Sequence, residues 1–150
     1  MSTVVVDSNI ALKWALMEAD SAQAEALLVH WTSAGTKMTA PALFAYELAN
    51  VLHQRTRKGV LTPDEARDAL ERLLAGAIEL DRRDDAGLSK RALTLTQQLG
   101  PPATYDAHYL ALAEREGCEY WTADELLWNV AHPTFGWVRL LREFAPPATP

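Results

Sequence analysis

Residues 4–9 read Val4-Val5-Val6-Asp7-Ser8-Asn9. Three consecutive β-branched residues predict a short strand, and the polar cluster behind them is a helix-start signal. A strand that runs directly into a helix cap opens a βα unit. In open α/β sheets ligands bind at the carboxyl ends of the strands, and the first strand of such folds is usually central. Asp7 stands at that end.

The same alternation continues outward from this stretch. A short helix is expected over residues 10–17, and a second, capped at Asp20-Ser21, runs to about Ala34 with Gly35 as its stop. Residues 37–40 form a weak strand, and Pro41 suits the first turn of the helix behind it. That helix carries Leu43, Phe44, Leu48, Val51 and Leu52 as an apolar stripe and ends near Lys58-Gly59. Thr62-Pro63-Asp64-Glu65 has the form of a capping box and begins a helix to about Ala75. A strand over 77–80, a helix over 85–99 closed by Gly100-Pro101-Pro102, and a helix from about Thr104 to Glu116 follow. Strands at 118–122 and 137–141 flank a last helix at 124–131. The pattern predicts an α/β fold: a central parallel sheet of about five strands with helices on both faces, joined by right-handed crossovers. One domain is expected over 1–145, with 146–150 as a loose C-terminal tail.

On this framework four acids fall near strand ends or helix starts: Asp7, Glu47, Asp106 and Asp124. Asp106 and Asp124 admit a length check. The helix from Asp106 to Glu116 climbs about 15–16 Å, and the strand from Cys118 to Thr122 returns about 16 Å. Both carboxylates are therefore expected at one sheet edge. Glu47 interrupts the apolar face of its helix, where a carboxylate needs a partner or an ion. Each of the others has a plainer role open to it: Asp7 and Asp124 as helix caps, Asp106 as an acid favoured by the helix dipole. Four such coincidences at one edge are harder to accept than one site. Gathered carboxylates repel unless a cation sits among them, and Mg²⁺, which prefers oxygen ligands, is the natural one.

Composition narrows the alternatives. The chain has 150 residues, nearly half of them apolar, with a formal net charge of −6. That excludes a generic basic nucleic-acid binder but not a nuclease, whose metal would offset part of the charge. Arg55, Arg57 and Lys58, the pair Arg82 and Arg83, and the pair Lys90 and Arg91 form local basic clusters that a solvated surface also explains. No signal peptide and no bilayer-spanning run is legible, and the single Cys118 allows no internal disulfide, so a cytoplasmic setting without membrane attachment is expected. There is no dinucleotide-binding glycine motif and no Walker loop. His30, His53, His108 and His132 are scattered, which gives no support to zinc chemistry. Asp7-Ser8-Asn9 lacks the second aspartate of an Asp-x-Asp phosphotransferase, and no acid pair near the start suggests a phosphoryl receiver.

Four segments together resemble the PIN-domain family: Val4–Asn9, then Glu47-Leu48-Ala49-Asn50-Val51-Leu52, then Tyr105-Asp106-Ala107-His108-Tyr109-Leu110, and Trp121-Thr122-Ala123-Asp124-Glu125-Leu126. Their order and spacing agree across nearly the whole chain, and the length is similar to that of VapC-type toxins of VapBC systems. The resemblance implies a three-layer α/β/α PIN-like domain and an Mg²⁺-dependent endoribonuclease, with Mn²⁺ as a substitute. It assigns Asp7, Glu47, Asp106 and Asp124 as metal-binding and catalytic acids, and Ser8, Asn9, Asn50 and Thr122 as supporting polar residues. It also implies a VapB-like antitoxin partner and a homodimer, for which the apolar helices at 43–52 and 70–74 are open. Water activated by the metal would attack the scissile phosphate in line, leaving a 5′-phosphate and a 3′-hydroxyl. Lys13, Arg55, Arg57, Lys90 or Arg91 are available for flanking phosphates. Tyr105, Trp14 or Trp128 are available to stack on an unpaired base, with core packing as the plainer role for each. An antitoxin should offer basic and apolar groups, an arginine among them, to the acidic edge. The rival within the family is a non-catalytic module that only binds RNA or protein.

Overall fold

The computed structural model describes residues 2–100 and 104–148. Five parallel strands form one sheet: β1 (Thr3–Val6), β2 (Lys37–Pro41), β3 (Ile78–Asp81), β4 (Glu119–Thr122) and β5 (Val138–Leu140), in the order β3-β2-β1-β4-β5. Among the described residues seven α-helices lie between and around them: α1 (Ser8–Ala15), α2 (Ser21–Ser33), α3 (Leu43–Arg57), α4 (Pro63–Leu74), α5 (Asp85–Leu99), α6 (Thr104–Glu116) and α7 (Glu125–Ala131). α1 packs against α2, α3 and α4, while α5 and α6 pack on each other and α6 covers β1 and β2. With right-handed crossovers these two groups occupy opposite faces and give three layers. The α/β architecture expected from the alternating pattern is the one found.

β1 is the central strand, and Val4, Val5 and Val6 are all buried. Burial on both faces explains why the strand is a continuous apolar run. The chain leaves β1 toward β2 on one side and later returns to β4 on the other. The order therefore reverses between β1 and β4, which makes the carboxyl end of β1 the switch point where a crevice opens.

Local chemistry sets the element ends. Thr62 and Glu65 form the expected reciprocal capping box at α4. Gly117, at φ +63°, takes the left-handed turn between α6 and β4 that a side chain would strain. Pro41 departs from the expectation: it is the last residue of β2, paired with Asp81 of β3, and α3 begins only at Leu43. A proline is tolerated at a strand end because only one ladder donor is lost there. The last strand is shorter than expected, because Leu141–Glu143 turn into a 3₁₀ helix. Pro101 and Pro102, expected as helix stops, lie outside the described residues. Residues 145–148 have no regular structure and are exposed, and Thr149 and Pro150 of the expected tail also lie outside the described residues. Most of the apolar stripe of α3 is used within the fold, with Phe44, Leu48 and Leu52 buried.

Candidate active site

Each acid is placed by an element end or an inward helix face. Asp7 follows β1 and caps α1. Its Oδ1 accepts the Asn9 N–H at 3.1 Å, and its Oδ2 accepts the Thr122 hydroxyl at 3.0 Å and the Tyr120 hydroxyl. Asp124 follows β4 and caps α7, its Oδ1 accepting the N–H groups of Leu126 and Leu127. Asp106 lies in the first turn of α6. Glu47 sits within α3, and its Oε1 accepts the Tyr109 hydroxyl at 2.6 Å and the Ser8 hydroxyl at 3.3 Å. Asp7 and Asp124 thus do serve as caps. The capping role and the site are compatible, because a cap uses only some of a carboxylate's acceptor sites.

The supporting residues separate into two groups. Thr122, fully buried, donates to Asp7 and accepts from Asn9 Nδ2 at 3.2 Å and from the Asp124 N–H at 3.1 Å. Asn9 Oδ1 accepts the Ala123 N–H at 2.9 Å, so β1 and β4 are tied together across the crevice. Ser8 lies between Asp7 and Glu47, and its single proton is shared between acceptors at 3.4 and 3.3 Å. Asn50 is different. It is exposed on α3, and among the described residues no hydrogen bond joins it to the acids.

Two residues to which the sequence reading gave no role belong here. Tyr120 and Tyr109 are fully buried, their rings 5.6 Å apart, and they donate to Asp7 and Glu47. Burial, followed by the charge of Asp7, holds both phenols well above their usual pKa, so they remain donors. A strand places alternate side chains on one face, so Tyr120 points the same way as Thr122. Tyr109 likewise shares a helix face with Asp106, three residues before it. Those spacings were the signals available in the sequence.

The electrostatics are those of uncompensated carboxylates. Burial raises the Asp7 carboxyl above its ordinary range despite its hydrogen bonds, and the charge of Asp124 adds to the rise. Glu47 is pushed up to about 7, chiefly by burial and then by Asp7 and Asp106. Asp106 is pushed up to about 6 by burial, Asp7 and Asp124. Asp7, Glu47 and Asp106 therefore each sense the charge of other acids of the set. Among the described residues no Lys or Arg forms an ion pair with any of them.

In this arrangement no three His, Cys, Asp or Glu side chains among the described residues stand close enough together to enclose a metal ion. The chemistry of the donor set nevertheless fits a hard divalent cation. The donors are all oxygen, they are mutually repelling, and no basic group among the described residues neutralises them. Glu47 Oε2 and both oxygens of Asp106 also have no hydrogen-bond donor among the described residues.

Other residues with an expected role occupy various places. Lys13 and Arg55 border a cleft that includes Asn9 and Asp124. Arg91 is held by Glu114 across the α5–α6 pair. Tyr105 is exposed, Trp14 donates to the Ala24 carbonyl, and Trp128 stacks on His132 at 4.7 Å. His108 is fixed by the Thr104 carbonyl at Nδ1 and by Ser89 at Nε2.

A five-stranded parallel sheet with helices around it is the architecture the four sequence segments implied, and residues 4–133 match the PIN domain family. The chain belongs to that family. It is 35% identical over 124 residues to ribonuclease VapC3 of Pyrobaculum aerophilum, covering 83% of this chain and 91% of the relative. Solved structures similar in fold include two that bear on this chain. One is PAE2754 from Pyrobaculum aerophilum, at TM-score 0.65 and 22% identity, covering 94% of this chain and 85% of that one. The other is VapBC2 from Rickettsia felis bound to a DNA fragment from their promoter, at TM-score 0.64 and 12% identity, covering 92% and 96%. No helix among the described residues is long and apolar enough to cross a membrane.

Proposed function

We propose that the protein is a divalent-metal-dependent endoribonuclease of the VapC kind, the toxin of a toxin–antitoxin pair. The observation that carries the reading is the set of acids at the switch point of a PIN fold, in which Asp7, Glu47 and Asp106 each sense other carboxylates and none of the four has a basic partner among the described residues. Mg²⁺, or Mn²⁺ in its place, would be held by Asp7, Glu47, Asp106 and Asp124. When bound, the ion would supply an activated water and offset charge on the scissile phosphate.

The chain's own groups do the positioning. Tyr120 and Thr122 fix Asp7 Oδ2, and the N–H of Asn9 fixes Oδ1. Tyr109 and Ser8 fix Glu47 Oε1 and leave Oε2 open. Glu47, titrating near 7, holds a proton for much of the time in the free protein and must release it before it can act as a ligand or a base. The substrate is RNA, since the VapC3 relative is a ribonuclease. A VapB-like antitoxin that presents basic and apolar groups would cover the acidic edge. The fold offers little apolar surface from 43–52 for a homodimer, but Tyr46 and Leu74 are exposed on α3 and α4, and light scattering on the purified chain would report the second copy.

The deciding experiment incubates antitoxin-free protein with pooled cellular RNA in Mg²⁺, in EDTA, and as Asp7→Ala. Discrete metal-dependent cuts with 5′-phosphate ends, lost in the variant, are expected. A folded protein that binds Mg²⁺ yet cuts nothing would sink the nuclease reading and favour a non-catalytic binding module.

A further inference from the structure

The acidic site leaves a problem that its own residues do not solve. RNA is a polyanion, the chain carries a net charge of −6, and among the described residues no cation is paired to the four acids. Something beside the site must hold the backbone. A cleft of about 370 Å³ adjoins it, lined by Asn9, Lys13, Glu18, Val51, Arg55 and Asp124 among others. Lys13 and Arg55 are the basic residues of that lining.

Their setting is unlike that of the chain's other ion pairs. The Lys13 side chain is only 12% exposed, the most covered of the paired cations among the described residues, and its Nζ lies 2.9 Å from Glu18. Arg55 reaches the other oxygen of the same carboxylate at 3.3 Å. Glu18 is itself held in place: its N–H donates to Ser21 Oγ at 2.9 Å, and that buried hydroxyl donates to the Leu16 carbonyl at 2.8 Å. One carboxylate on a pinned loop thus aligns two cations from α1 and α3. Covered ion pairs contribute little net stability against an apolar replacement, so a fold gains little by placing one here. Arg55 makes a single, long side-chain hydrogen bond, which leaves its other N–H donors without a protein acceptor among the described residues. A guanidinium with free donors beside an ammonium matches the geometry of a phosphate diester.

We propose that Lys13 and Arg55, aligned by Glu18, form a phosphate subsite that receives the single-stranded RNA backbone next to the position of cleavage. This rests on the ribonuclease reading. Glu18 is a positioning residue and also a competitor, since substrate phosphate and the Glu18 carboxylate seek the same donors.

The competition separates this role from a purely structural one. Binding of a fluorescently labelled single-stranded RNA oligonucleotide is followed by anisotropy across a salt series, in Mg²⁺, on the full chain carrying Asp7→Asn so that the RNA stays intact. Lys13→Met keeps the apolar stem and is expected to weaken binding roughly tenfold. It should also flatten the dependence of log K on log salt by about 0.7, the loss of one phosphate contact on a single strand. Lys13→Arg should restore the slope, and Arg55→Met should flatten it in turn. Glu18→Gln should tighten binding, because it removes the competing anion. The inference is overturned if Lys13→Met and Arg55→Met, shown by melting to be folded, leave affinity and slope unchanged. It is equally overturned if Glu18→Gln weakens binding as much as Lys13→Met does, or if the folded parent binds no RNA. The cleavage assay on wild-type protein is read separately. Cleavage with an unchanged slope removes only the subsite, whereas a flattened slope without any cleavage removes only the nuclease.

Discussion

Replacing Glu47 by glutamine should stabilise the metal-free protein above neutral pH, although it removes a charged group from a hydrogen-bonded position. Glu47 has its carboxyl pushed up from 4.5 to about 7. A carboxyl whose folded pKa is raised binds its proton more tightly in the native state than in the unfolded chain. Its contribution is therefore most favourable below the unfolded value and is lost as pH rises through the folded one. The loss falls between about pH 4.5 and 7. The full shift corresponds to about 3 kcal/mol, and solvent access to the half-buried group reduces this to about 1–2 kcal/mol. Glutamine keeps an oxygen for Tyr109 and Ser8 but carries no charge. At pH 8 in EDTA, Glu47→Gln should melt about 3–6 °C above wild type for a domain of this size, whereas at pH 4.5 the two should nearly coincide. Mg²⁺ should raise the melting temperature of wild type at pH 8 and that of the variant much less. Differential scanning calorimetry across the pH series measures all of this. A variant less stable than wild type at pH 8 in EDTA, by the same margin as at pH 4.5, would refute the reasoning. Glu47 would then be a structural acceptor and not a strained charge.

Three further outcomes are expected. Thr122→Val removes one donor and one acceptor shared by Asp7, Asn9 and the Asp124 N–H in a fully buried place; urea denaturation should show a loss of about 2–3 kcal/mol, and RNA cleavage should fall with it. Thr62→Ala breaks the α4 capping box, with an expected cost of about 1 kcal/mol in the same denaturation assay and no change in cleavage, because α4 supplies none of the four acids. Cys118, its thiol pushed up to about 11 by burial and then by Glu116, should react with iodoacetamide at pH 8 far more slowly than in the urea-unfolded chain; equal rates would show that the covering observed at β4 does not persist in solution.

Much of this protein could be read from the chain alone. Alternating β-branched runs and amphipathic stretches determine βα units, since strand and helix periods cannot satisfy the same apolar pattern. Thr62–Glu65 and Asp124 determine helix starts, because capping is a contact between neighbours. Asp7, Asp106 and Asp124 could be read at strand ends or helix starts and Glu47 on an apolar helix face, and the out-and-back lengths of α6 and β4 predict Asp106 and Asp124 at one edge. Local reasoning failed at Pro41, where pairing with β3 outweighed its suitability for a helix start. It also missed the roles of Tyr109 and Tyr120, which look apolar in sequence until the sheet order sets their hydroxyls against Glu47 and Asp7. Only the tertiary structure decided that Asn50 faces outward while Asn9 spans the crevice, and that one carboxylate, Glu18, holds cations five and 37 residues away. The reason is range. Periodicity and caps act over a few residues and are written locally, whereas proton affinity and ion pairing depend on burial and on charges that only the closed fold brings near.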